Sequence, residues 1–149
     1  MEGSDRACAL IAGAYLDHAL EAILTTQMLK IDATSRKNIF QGATAILPSF
    51  SSKIRMCHAL GLISDDEKTH LNIIREIRNH FAHALGACAF DEVLVAKECD
   101  KLWPDDKPVA RRAAERSISR AKFVARFAAF AEKLSNVFFL LLKKAGMLD

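Results

Sequence analysis

Apolar residues recur three and four positions apart along most of the chain, which is the spacing that places them on one face of an α-helix. The first long stretch, SDRACALIAGAYLDHALEAILTTQML, begins at Ser4 or Asp5, both good helix N-caps. A second, shorter helix is predicted from Ser49 or Ser51 to Leu60. No stretch shows the sustained alternation of apolar and polar residues that predicts a strand.

The third predicted helix lies in ISDDEKTHLNIIREIRNHFAHALG. Ser64 followed by Glu67 forms a capping box, and Gly86 is a natural residue to end the helix. Its apolar stripe, which we expect to be buried, consists of Leu71, Ile74, Ile77, Phe81 and Leu85.

A short fourth helix and a long last helix complete the pattern. The fourth is predicted from near Asp91 to before Pro104, and the last continues from about Asp105 to about Lys144. The apolar residues between positions 30 and 49 show no regular spacing, and this segment is predicted to be irregular. The chain is therefore predicted to be all-α, a single domain over residues 1–149 that forms one bundle of about five helices.

Composition and charge narrow the class of protein only a little. The chain has 149 residues, 51% of them hydrophobic and 26% charged, and its net charge of +3 is too small to indicate a nucleic-acid partner. Four cysteines lie far apart and are expected to be reduced and mostly packed. No basic region precedes an apolar run at the N-terminus, and no apolar run is long enough to span a bilayer. We therefore expect a cytoplasmic protein that does not associate with a membrane.

The candidate chemistry lies in the third helix, in RNHFAH. Arg78 supplies a planar, permanently charged guanidinium, and His83 stands in the last turn, where the helix dipole favours its protonated form. An imidazole can take a proton from a ribose 2′-hydroxyl while a guanidinium stabilises the charge on phosphorus and Asn79 orients the groups. This is the minimum set for cleaving a phosphodiester without metal.

The spacing of these residues allows two ways to form that site, and one structural alternative to it. Arg78 and His83 are five residues apart, about 140° around an ideal helix, so they converge only if the helix loosens before Gly86 or if two copies meet at a twofold axis. In the structural alternative, Arg75, Arg78 and His80 lie on a solvent-exposed face of the helix, and His83 caps its C-terminus. No carboxylate or paired cysteine completes a metal site with the histidines, so no metal and no cofactor are expected.

The last helix carries a strongly basic segment, with seven basic residues against one acid between positions 107 and 126. Arg112, Arg116 and Arg120 repeat at intervals of four and stack like charges on one face. Together with Arg75 they are candidate contacts to an RNA backbone. The structural alternative is that acids of the fold, such as Asp17, Glu21 and Glu76, offset these charges. For Asp17 and Glu21 we expect salt bridges to arginines of the third or fifth helix.

Several segments resemble a known family. RNHFAH fits the Arg-x(4–6)-His pattern, with Asn after Arg, of the HEPN superfamily of helical domains. With SDRACALIAGAYLDHALEAIL and LPSFSSKIRMCHALGLIS it resembles the MltR family, named for the mannitol operon repressor, over roughly residues 4–95. The resemblance implies a helical bundle, often a homodimer with the motif helices face to face. In many HEPN ribonucleases, residues matching Arg78 and His83 are catalytic and one matching Asn79 supports them.

These observations lead to two hypotheses. The first is an RNA-directed HEPN-like module that can act as a metal-independent endoribonuclease through Arg78, Asn79 and His83. The alternative is a non-catalytic transcriptional regulator of the MltR type that acts through protein partners or DNA. The expected partners are a second copy of the chain, RNA and a regulatory protein.

Overall fold

The computed structural model describes residues 4–28, 31–102 and 117–147, and these ranges contain six α-helices and no strand. The all-α fold with a long last helix is therefore confirmed. The helices are α1 (Asp5–Thr26), α2 (Ala33–Phe40), α3 (Phe50–Ala59), α4 (Asp65–His83), α5 (Val93–Leu102) and α6 (Ile118–Lys144).

The chain forms two compact units. Unit 1 comprises Met1–Ala14 and Thr69–Phe130, and unit 2 comprises Tyr15–Lys68 and Ala131–Asp149. Because α1, α4 and α6 are continuous, each contributes residues to both units. The single domain over residues 1–149 stays a prediction.

Side-chain caps define the helix starts that the sequence predicted. α3 begins after Ser49, which forms a capping box with Ser52. Before α4, the Ser64 backbone N–H donates to the Glu67 carboxylate at 2.8 Å, and the Glu67 N–H donates back to the Ser64 hydroxyl at 3.3 Å. Such caps satisfy backbone donors that a helix leaves unpaired at its start. These starts, and that of α1 at Asp5, are confirmed.

The prediction that residues 30–49 are irregular is wrong for α2. Asp32 caps this helix, since its carboxylate accepts the Ser35 backbone N–H at 2.7 Å. Phe40 is the buried residue of the helix. A helix anchored by a single large apolar side chain has no hydrophobic period, which is why the pattern did not indicate it.

The predicted buried stripe of the third helix is confirmed for four of its five residues. Leu71, Ile74, Ile77 and Phe81 are buried in α4. Leu85 is the exception and is fully exposed, because α4 ends at His83 and Leu85 no longer follows the helical period.

An aromatic cluster forms the centre of unit 1. Phe81, Phe90 and Phe123 are fully buried, with ring centroids 4.8 Å apart between Phe81 and Phe90 and 5.0 Å apart between Phe90 and Phe123. Tilted aromatic pairs at such distances are favourable beyond the area that they bury. The cluster fixes the end of α4, which carries RNHFAH, against the chain that follows it.

A buried group of charges lies in unit 2. The Lys53 ammonium is 3.0 Å from a carboxylate oxygen of Asp17 and 3.0 Å from one of Glu21, and Arg36 lies 2.9 Å from Glu21. The acids thus pair with α2 and α3, and the expected pairing with arginines of the third or fifth predicted helix is wrong. Burial raises the pKa of Glu21, but hydrogen bonds from Lys53 and Arg36 outweigh it, and the net pKa is lowered.

Helix α1 is long and apolar enough, by length and composition, to cross a membrane. Half of its apolar window is nevertheless buried inside the fold, and it carries the paired acids Asp17 and Glu21. This combination is typical of a core helix.

The cysteines are packing residues. Cys8, Cys57 and Cys99 are buried and none of the four cysteines forms a disulfide. Burial raises the pKa of Cys57 and of Cys99 to about 12, and it also raises that of Cys8. The three buried thiols therefore stay protonated at neutral pH, in line with the expectation of reduced, packed cysteines.

Candidate functional site

The residues of the predicted site all lie in the last turns of α4. Arg78 and Asn79 are half-buried, and His83, the last residue of the helix, is exposed. The helix is regular through His83, so the loosening that would let Arg78 and His83 converge within one chain does not occur there. About 140° of rotation separates them, and a site that uses both needs a second copy of α4.

Arg78 lies flat against α1. A Cβ atom placed on the buried Gly13 would lie 2.7 Å from the Arg78 Cγ atom and 3.2 Å from its Cβ atom, so the absence of a side chain at position 13 makes room for the arginine stem. The Arg78 Nη1 group donates a hydrogen bond of 3.0 Å to the Asn79 side-chain oxygen. Arg78 is therefore positioned by Asn79 and by its packing against Gly13 of α1.

We predict that Gly13→Ala will destabilise the protein by about 1–2 kcal/mol, because overpacking at a contact below 3 Å outweighs the better helix propensity of alanine. Denaturant unfolding measures the change. Gly86→Ala is the matched control, since no atom lies within 4 Å of the added Cβ. In an Arg78→Ala background the penalty should largely vanish; a penalty that persists there would contradict the contact.

The two histidines at the end of α4 have different surroundings. His80 Nε2 lies 3.0 Å from a Glu92 carboxylate oxygen, and the other Glu92 oxygen accepts the Ala89 backbone N–H at 3.0 Å. The Ala89 N–H, with a further contribution from His80, lowers the pKa of Glu92. The His83 side chain makes no hydrogen bond or ion pair to another residue of the described ranges. His80 thus ties α4 to the following loop, while His83 faces solvent.

The segment after α4 is hydrogen-bonded to the first residues of α1. Arg6 Nη2 donates to the carbonyl oxygens of Ala84 and Gly86, each at 2.7 Å, and Asp5 accepts the Phe90 backbone N–H at 3.1 Å. Leu85 lies between the two clamped carbonyls with its side chain fully exposed.

We call Ala82, His83 and Leu85, all exposed, the α4 end surface. The sequence did not predict the contacts of Arg6 or the exposure of Leu85. A basic residue near a helix start gives no local signal of a contact 78 positions away, and Leu85 continued the apolar spacing of α4.

Arg120, one of the predicted RNA contacts, is buried. Its Nη1 group lies 2.6 Å from an oxygen of Asp5. An acid of the fold therefore offsets its charge, as the structural alternative supposed, although the partner is Asp5 and not one of the acids named for that role.

The other predicted RNA contacts divide into two groups. Arg75 is half-buried and pairs with the neighbouring Glu76. Arg112 and Arg116 lie outside the described residues. The contacts of Arg112 and Arg116 to an RNA backbone thus stay predictions.

The comparison with solved structures gives a match to MtlR in the X-ray structure of the MtlR–HPr complex from Escherichia coli. The match covers 91% of this chain and 91% of that chain, with a TM-score of 0.64 and 15% sequence identity. The chain has the fold of MtlR. No family model matches the chain, and neither does any curated protein.

The likeness to MtlR extends over nearly the whole chain. It confirms the resemblance to the mannitol operon repressor at the level of the fold. At 15% identity the match shows the fold but not the roles of individual residues, which have to be argued from the geometry of this chain.

Proposed function

We propose that this chain is a regulator of the MtlR type that acts by binding a protein partner of the HPr class. The observation that carries the proposal is the shared fold over 91% of both chains with an MtlR whose structure was solved as a complex with HPr. This is the alternative of the two hypotheses drawn from the sequence. A regulator of this kind needs no catalytic step, and we place it in the cytoplasm.

The α4 end surface is the part of unit 1 that we propose for partner contact. Leu85 presents a large apolar side chain on a backbone that Arg6 clamps on both sides. An anchor already held in place loses little conformational entropy on binding. The neighbouring His83 adds an exposed polar group at the rim. A partner that fits this surface has an apolar depression for Leu85 and a hydrogen-bond acceptor for His83.

The engagement of Arg78 also supports a non-catalytic role. Its guanidinium is hydrogen-bonded to Asn79 and its stem packs where Gly13 leaves space. In a regulator, these contacts serve to set α4 against α1 and so to position the surface at the end of α4.

Isothermal titration calorimetry with purified Escherichia coli HPr tests the proposal. We expect saturable binding with one HPr per chain. Absence of binding at about 100 µM HPr, which corresponds to less than about 5.5 kcal/mol of binding free energy, would contradict it.

RNA cleavage is the second candidate function, and the exposure of His83 is the observation in its favour, because a general acid–base group must reach its substrate. If the chain acts as the proposed regulator, we expect neither the wild type nor His83→Ala to cleave single-stranded RNA in EDTA, as measured on denaturing gels. Cleavage by the wild type that His83→Ala abolishes would favour the ribonuclease instead, and the homodimer through α4 with it.

A further inference from the structure

The second half of α6 exposes a continuous face in unit 2. Phe139 and Leu140, which are 58% and 67% exposed, lie side by side in the middle of it. Exposed residues of this face recur at helical spacing, and we call them the α6 outer face: Glu132, Asn136, Phe139, Leu140 and Lys143. Large apolar side chains grouped on one side of a helix mark an interaction surface.

The charges at the two ends of this face are opposite in sign. Glu132 stands at one end and Lys143 at the other, and both are exposed. Neither has an ion pair within the described ranges, and neither has an opposite charge three or four positions away on the helix. The adjacent Lys133 is occupied, since it pairs with Glu67.

This arrangement is complementary to itself. If a second copy of α6 runs antiparallel about a point between Val137 and Phe138, Glu132 stands opposite Lys143 of the second copy. The same symmetry sets Asn136 opposite Phe139 of the second copy, so the centre is mainly apolar and its two ends are ion pairs. Each ion pair then occurs twice in the assembly.

We propose that the α6 outer face is the surface through which two copies of this chain associate, with their α6 helices antiparallel. A second copy fits better than a membrane surface, because Glu132 belongs to this face and an anionic bilayer would repel it. The face is separate from the α4 end surface, and the inference does not depend on the proposed binding of HPr.

Sedimentation velocity on the full-length chain tests the proposal through charge reversal. The wild type should sediment as a dimer at about 50 µM, and Glu132→Lys or Lys143→Glu alone should weaken the dimer about tenfold, because each reverses two symmetry-related pairs. The double variant Glu132→Lys/Lys143→Glu should restore the wild-type affinity to within about threefold. Lys97→Glu on α5, an exposed site elsewhere, controls for net charge.

A monomeric wild type would overturn the proposal, as would failure of the double variant to recover or single variants with no effect. Leu85→Asp separates this surface from α4: it should leave the dimer intact, and loss of the dimer in that variant would place the interface at the end of α4. Binding of a monomer to phosphatidylglycerol vesicles, lost in Lys143→Glu, would also contradict self-association. Circular dichroism of each variant confirms that it is folded.

Discussion

Replacing Lys53 by methionine is expected to lower the free energy of unfolding by about 3–5 kcal/mol, because the change leaves the half-buried Asp17 without its cation and the buried Glu21 with Arg36 alone. The ammonium of Lys53 lies 3.0 Å from both Asp17 and Glu21, and its side chain is only 4% exposed. Urea unfolding of the wild type and variant measures the difference. Of the changes considered for this chain, this one has the largest predicted effect on stability.

Lys37→Met is the matched control, since Lys37 is exposed on α2 and its removal should change stability by no more than about 0.5 kcal/mol. Equal losses of stability for the Lys53 and Lys37 variants would contradict the buried network.

The wild type should also lose stability in acid. The pKa of Glu21 is lowered in the folded state. The contribution of Glu21 to stability is therefore complete above its unfolded pKa and disappears as the pH falls through the lowered folded value.

Leu85→Asp is expected to weaken HPr binding about thirtyfold, or about 2 kcal/mol, the size typical of an anchor residue that fills a pocket on its partner. Because Leu85 is fully exposed, the variant should keep the stability of the wild type. Calorimetric titration gives the affinity, and thermal unfolding gives the stability.

Leu94→Asp makes the same chemical change at another exposed leucine of unit 1, on α5, and should bind HPr as the wild type does. If both aspartate variants lose affinity equally, the effect is one of added negative charge and not of the Leu85 anchor. If neither loses affinity, the partner binds elsewhere on the chain.

Local signals in the sequence predicted much of the fold. The capping box at Ser64 and Glu67 fixed the start of α4, and the spacing of Leu71, Ile74 and Ile77 gave its buried face. These features depend on residues within one or two turns of each other, so a single sequence contains all the information needed to find them.

Contacts between distant residues were not predictable in the same way. Arg120 pairs with Asp5 across 115 positions, and Lys53 pairs with Glu21 across 32. A stack of basic residues indicates that some acid or ligand offsets the charge, but the choice of partner is set by packing. For Arg120 the partner is an acid at the first residue of α1, which changes a candidate RNA contact into a structural ion pair.

The motif itself was found, but its geometry was not. Arg78 and His83 are five positions apart, a spacing that allows a shared site only where a helix loosens or two copies meet, and α4 stays regular to His83. Leu85 was placed in the core by its spacing, although the helix ends two residues before it.

We propose that this chain binds an HPr-class partner through the α4 end surface. Amide chemical-shift mapping of the isotope-labelled chain during titration with unlabelled HPr tests it most directly. We expect the largest shifts to cluster at His83, Leu85 and Gly86 and to saturate together. An absence of shifts at saturating HPr, or shifts concentrated in unit 2 with none at the end of α4, would contradict it.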